Sequence, residues 1–315
     1  MEKKARAAVK RGSRSEKVKK WLPLYLMMLP GAIYLIVNNY IPMFGMIIAF
    51  KKVDFSKGIF ASDWIGLKNF EFLFASDDAA VITRNTILYN VAFIFLNTTL
   101  GILFAIFICD ILNKRLKKLY QSAILFPFLM SMVIVGYIVY AFFSMQSGIV
   151  NKTILPLLGK DPIFWYNEPK YWPAILIFVN TWKGIGYGCL IYISAINGID
   201  PTYYEAAELA GAGKLKQIWH ITLPCILPSI ITLTLLSIGK IFYSDFGLFY
   251  QVPRDSGMLY STTNVIDTYV YRGLMKQGNI GMSSAAGVYQ SVVGFVLVLL
   301  SNLVVRKVSK ENALF

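Results

Sequence analysis

The chain has 315 residues, 56% of them hydrophobic and only 15% charged, with a mean hydropathy of +0.56. That composition excludes an ordinary soluble domain, which must present a charged surface to water, and places the chain among membrane proteins. The formal net charge of +14 would suit nucleic acid, but its distribution along the chain assigns it to orientation in a bilayer.

Residues 1–20 form a basic tail, "KKARAAVKRGSRSEKVKK" at its centre, expected to lie on the cytoplasmic side near anionic lipid. Residues 21–315 form the membrane domain. A hydrocarbon core about 30 Å thick needs roughly 20 apolar residues per helix. Runs of that kind span 22–50, 85–109, 119–145, 172–197, 222–246 and 283–305. No small-residue cleavage site follows the first run, where the sequence reads "NNYIPMFG", so it is read as an uncleaved span. None of the runs shows the alternating pattern of barrel strands. The expectation is an all-α membrane protein with six transmembrane helices.

Counted outside these runs, the side carrying both termini holds 18 Lys and Arg against seven acids, and the other side 11 against nine. Excess positive charge marks the cytoplasmic face, which puts both termini and the loop around residue 210 there. On the outer side, "DPIFWYNEPKYWP" is either an interfacial aromatic belt or a docking surface.

A charge inside a span costs roughly 2.5–3.5 kcal/mol on insertion scales, so Lys183, near the middle of the fourth run, needs a reason. Asn180, Lys183 and Tyr187 recur at i, i+3 and i+7, which puts them on one face. That face either lines a water-filled substrate pathway or forms a buried hydrogen-bond network. Gly184 and Gly188 beside it have the spacing of close helix packing. Lys240, Tyr243 and Asp245 near the end of the fifth run are weaker pathway candidates, because Lys240 can snorkel to the interface and Asp245 falls roughly 140° away on a regular helix.

Chemistry-bearing motifs are few. Cys109, Cys189 and Cys225 are far apart and form neither a disulfide framework nor a metal motif. His220 is the sole histidine, so two-histidine metal sites are excluded and a serine hydrolase triad has one possible base. "GAGKLKQ" lacks both the glycine spacing and the Ser or Thr of a phosphate-binding loop.

The polar stretch "YYEAAELAGAGKLKQIWHITLP", residues 203–224, interrupts the apolar sequence. Asp200 followed by Pro201 and the alanines 206, 207 and 210 predict a helical segment over about 201–219, with Gly211 and Gly213 as breakers. Glu205 and Glu208 complement its start and Lys214 and Lys216 follow its end. Pro224 and Pro228 are expected to prevent an unbroken helix from running into the fifth span. Composition alone leaves a docking surface and a plain amphipathic connector equally open.

The spacing of Glu205-Ala206-Ala207, Gly211, Ile221 and Leu223-Pro224 resembles the EAA signature of permease subunits of binding-protein-dependent ATP-binding-cassette importers. "DFGLFYQVP" after the fifth run looks like the polysaccharide-type branch of sugar permeases. The resemblance implies a type I importer permease fold whose cytoplasmic coupling helix seats in an ATPase subunit. It also implies a second, non-identical permease subunit, two ATP-binding-cassette ATPase subunits and an extracytoplasmic solute-binding protein. ATP and Mg would sit on the ATPases, with no cofactor on this chain. The expected function is non-catalytic: alternating-access import of a carbohydrate, an oligosaccharide by preference, across a bacterial cell membrane. Ala210 departs from the family, which often has Asp there. The competing class is an ion-gradient-driven carrier or channel, but the internal span repeats of many carriers are not evident.

Overall fold

The computed structural model describes residues 14–71 and 77–308, so most of the basic tail lies outside the described residues. Helix α1 (Arg14–Leu35) continues through a wide turn, Ile36–Tyr40, and a tight helical segment, Phe44–Phe50. It buries almost none of its apolar surface inside this chain, which leaves that surface for lipid or another subunit. A two-residue antiparallel ladder, β1 (Lys51–Lys52) with β2 (Asp63–Trp64), closes the following loop.

Helix α2 (Asp77–Asp110) is about 50 Å long at 1.5 Å per residue, so it overshoots the hydrocarbon core. It is the spine of the bundle and packs along α5 (Trp172–Asn197). Tyr89, Phe93, Trp172, Leu176 and Val179 fill one end of that interface, and Ala105, Ile108, Cys189 and Tyr192 the other.

The third apolar run is not one straight span. It is divided into α3 (Lys114–Leu129) and α4 (Met132–Phe143), which meet at 95°. Pro127 removes an N–H from the last turn of α3, and Ser131 stops the helix and caps the next by accepting from Ile134 N–H at 3.3 Å. Among the described residues five helices are therefore long and apolar enough to cross a bilayer, six if the bent pair counts as one span.

The short helix α6 (Pro201–Leu209) follows α5. Then α7 (Lys214–Gln217), a wide turn (Ile218–Thr222) and α8 (Leu223–Ile238) form one continuous helical span. This corrects two expectations. The helical segment expected over 201–219 is really α6 alone plus the start of the fifth span. Pro224 and Pro228 do not break the chain either: Pro228 lies inside α8, and before Pro224 the wide turn, with Leu223 N–H bonding Ile218 O, relieves the clash a proline ring makes with the preceding turn. The fifth span also stops at Ile238, eight residues earlier than its apolar run. After it come α9 (Phe246–Gln251), α10 (Ile266–Met275) and the last span α11 (Ile280–Val308).

Glycines set the closest approaches. A Cβ on Gly186 would lie 2.2 Å from Ile124 O, so α5 seats directly on the α3 backbone there. Gly184 is in tight contact with Asn97, but Gly188 faces open space and has no packing role inside this chain.

Candidate functional site

Helix α6 is a self-contained unit. Asp200 accepts from Thr202 N–H at 2.9 Å, and Pro201 occupies the first turn, where a missing N–H costs nothing. That backbone bond holds the Asp200 carboxyl below the usual carboxylate range. At the other end Gly211 adopts φ +75°, its N–H reaches Glu208 O at 2.9 Å, and Ala212 N–H reaches Ala207 O at 2.8 Å. These are the two bonds of a Schellman cap, in which the left-handed residue stands four positions beyond the residue whose carbonyl accepts the longer bond. The fixed distance from Ala207 to Gly211 is thus a backbone requirement. Nothing lies within 4 Å of a Cβ built on Gly211, so the glycine is needed for its dihedral and not for space.

The helix, the loop after it and the start of the fifth span are tied together at defined points. Tyr204 Oη lies 2.9 Å from Thr222 Oγ1 in the wide turn, and buried Gln217 donates to Ala212 O at 3.1 Å. Lys214 pairs with Asp110, the last residue of α2, at 2.9 Å. Ile221, Leu223 and Pro224 stand at the base of the fifth span and not on α6, so the signature has two parts, a capped helix and the turn that joins it to the membrane. Glu205 and Ala206 are exposed and Ala207 is half-buried. Around them Tyr203, Leu209, Leu215 and Trp219 are exposed, Leu209 by 92%, which leaves an apolar surface at a polar end of the molecule.

The face carrying Asn180, Lys183 and Tyr187 is divided among three neighbours. Asn180 Oδ1 accepts from Asn97 Nδ2 on α2 at 3.0 Å. Lys183 Nζ donates to Phe128 O at 2.9 Å and lies 5.4 Å from the Phe128 ring centre. Phe128 O is one of the carbonyls left without an intrahelical partner where α3 ends, so the lysine caps the broken helix and complements its dipole. Tyr187, exposed at the surface of the chain, stacks on Phe128 with ring centres 5.2 Å apart.

Lys240, Tyr243 and Asp245 do not form one constellation. All three lie beyond the end of α8, so their positions do not follow a regular helix. Lys240 is exposed, Tyr243 Oη lies 3.1 Å from Ser291 Oγ on α11, and Asp245 caps α9 by accepting from Leu248 N–H at 3.1 Å. In the loop "DPIFWYNEPKYWP" Phe164, Asn167 and Lys170 are exposed, while its tryptophans are tied inward. Trp172 is fully buried and donates to Trp165 O at 2.7 Å, while Trp165 donates to Asn151 at 2.9 Å.

Residues 97–310 match the family of binding-protein-dependent transport system inner membrane components, and the matched segment contains the capped helix, the wide turn and their spacing. The chain belongs to this family. The permease is 36% identical over 292 residues to the polygalacturonan/rhamnogalacturonan transport system permease protein YteP of Bacillus subtilis (strain 168), covering 92% of this chain and 89% of that one. It is 31% identical to protein LplB of the same organism, over 93% and 91% of the two chains. Among solved structures it resembles a bacterial transporter involved in import of the acidic polysaccharide alginate, with a TM-score of 0.85, 31% identity and 94% and 99% coverage. The chain is therefore a multi-pass permease subunit of an ATP-binding-cassette importer with the corresponding fold, and the secondary-carrier reading is not favoured.

Sequence reasoning missed the residues that these side chains meet. Tyr204, Thr222, Asp110 and Phe128 carry no motif of their own. Only the polar positions of Asp110 and Thr222 at the ends of apolar runs gave a signal.

Proposed function

We propose that this permease imports an oligosaccharide containing uronic acid residues and that α6 is the element through which a separate ATPase drives it. The observation that carries the reading is the attachment of α6: it is capped at both ends and joined by Tyr204 to the wide turn of the fifth span, whose first residue, Lys214, in turn pairs with Asp110 at the end of α2. A push on such a helix moves two spans together, which is what a two-state coupling element requires. The names of the relatives support the substrate class, since polygalacturonan is a polyuronate by its chemistry and alginate is described as an acidic polysaccharide.

In this reading both termini and α6 face the cytoplasm of a bacterial cell. Glu205, Ala206, Ala207 and Gly211 form the seat for one of two ATPase subunits, which hold ATP and Mg, and Ile221, Leu223 and Pro224 pass the motion on. A second permease subunit covers the exposed Phe128–Tyr187 stack, so that Lys183, Asn180 and Tyr187 border the shared pathway. Tyr243, Lys240 and Asp245 lie toward its outer end, where a solute-binding protein delivers the sugar. Support for that protein comes from the second alginate structure, described as a complex with an alginate pentasaccharide-bound periplasmic protein.

The test is Glu205→Lys in the reconstituted transporter. Loss of sugar-stimulated ATP hydrolysis and of uptake, with the membrane subunit still inserted, supports the assignment. Unchanged uptake and stimulation contradict it.

A further inference from the structure

At the end of the bundle opposite α6, a cavity of about 220 Å³ lies between α4 and the end of α9 with the turn that follows it. Gly136, Tyr137 and Tyr140 share one face of α4, at i, i+1 and i+4, and Tyr250, Gln251 and Arg254 stand opposite. The two walls meet at Gly136, where an added Cβ would lie 2.9 Å from Gln251 O. Any larger residue at 136 would push the walls apart.

Arg254 and Asp255 both adopt left-handed backbone, with φ +56° and +47°. That conformation is uncommon without glycine and persists only where the surroundings impose it. Here Asp255 is held inward: Oδ1 accepts from Arg272 Nη1 at 2.8 Å and from Tyr260 Oη at 3.0 Å, and Oδ2 pairs with Lys276. The turn consequently sends Arg254 outward, its guanidinium carbon 4.2 Å from the centre of the Tyr140 ring. Among the described residues Arg254 has no carboxylate partner, whereas the single charge of Asp255 is already matched by two cations. The cavity therefore has aromatic walls and, at its mouth, a planar cation without a carboxylate partner, because the Asp255 charge beside it is taken up by Arg272 and Lys276.

We propose that this cavity is a subsite for one uronate residue of the incoming oligosaccharide, with Arg254 taking the carboxylate through paired N–H donors and tyrosine faces packing on the ring. An arginine fork matches a carboxylate in geometry, and aromatic faces suit the C–H side of a sugar. The volume is below the range of about 300–1,000 Å³ usual for whole ligands, which fits one residue of a longer chain. The assignment rests on the proposed import of an acidic saccharide and on α6 facing the cytoplasm, which puts this cavity outside. It goes beyond that reading by naming the group that distinguishes acid from neutral sugar.

The experiment uses the assembled transporter in proteoliposomes with saturating binding protein, loaded either with trigalacturonate or with its fully methyl-esterified form. Arg254→Gln is expected to lower the trigalacturonate uptake rate about 10-fold relative to wild type, the size expected for losing a charge-assisted hydrogen bond, and to change the ester by less than about twofold. Arg254→Lys is expected to restore part of the loss, and Tyr137→Ala to slow both substrates. Equal losses of acid and ester in Arg254→Gln, as a role in docking another protein would give, or no loss at all, overturn the subsite while leaving acidic-sugar import intact. Wild-type transport of the ester without the acid overturns both.

Discussion

The Tyr204 hydroxyl meets the Thr222 hydroxyl at 2.9 Å, across 18 residues of sequence. Through this one contact the exposed helix α6 is fixed to the turn in the first part of the fifth span. Thr222 is buried, so its partner is not readily replaced by water. Tyr204→Phe should cost about 0.5–1.5 kcal/mol at this junction, the net worth of a hydrogen bond. The consequence belongs to coupling more than to stability: basal ATP hydrolysis by the assembled transporter is retained while sugar-stimulated hydrolysis falls several-fold. Parallel assays of the two rates check it.

Gly211→Ala tests the cap. With φ at +75° an L-residue costs roughly 1–2 kcal/mol, and no steric contact adds to that because the space is open. Gly211→Asn should be milder, since asparagine tolerates the left-handed region better. The order Gly, Asn, Ala in recovery of co-purified ATPase is the expected readout. Crowding at an interface would instead make Asn worse than Ala.

Lys183→Met leaves Phe128 O without its donor where α3 and α4 diverge at 95°. An unsatisfied group of this kind costs about 1–3 kcal/mol. A lower thermal unfolding midpoint in detergent is expected for Met. Recovery with Arg, which keeps a cation and donors, would separate capping from a simple need for bulk.

The Arg272–Asp255–Lys276 cluster predicts a pH dependence. Burial alone would raise the Asp255 pKa, but the bonds from Lys276, Arg272 and Tyr260 outweigh it and hold the carboxyl below the ordinary value of 3.8. A depressed folded pKa means the contribution to stability is complete above the unfolded value and is lost as pH falls through the lower folded one. Hydrogen exchange in residues 252–260 should therefore stay slow from neutral pH down to the ordinary carboxylate range and speed up only below it. Asp255→Asn should already exchange faster at neutral pH.

Much of the fold was legible because its causes are local. Apolar runs of bilayer length gave the spans, and the Ala207-to-Gly211 spacing marked a helix end whose geometry the cap explains. The rest depended on what meets what in space. The break between α3 and α4 is written in Pro127 and Ser131, yet both residues also occur in straight spans, and only the carbonyl they expose explains Lys183. The early end of the fifth span at Ile238 is invisible to hydropathy, since Ile241, Phe242 and Phe246 continue the apolar run. Pro224 misled in the same way, because the wide turn that accommodates it has no residue signature.

Whether α6 seats against the ATPase is decided by proximity. A photocrosslinking residue in place of Leu209, which is 92% exposed and makes no hydrogen bond through its side chain, tests it in the assembled transporter. A covalent adduct with the ATPase subunit is expected. Full assembly and transport with no ATPase adduct from position 209, 203 or 205 would contradict it.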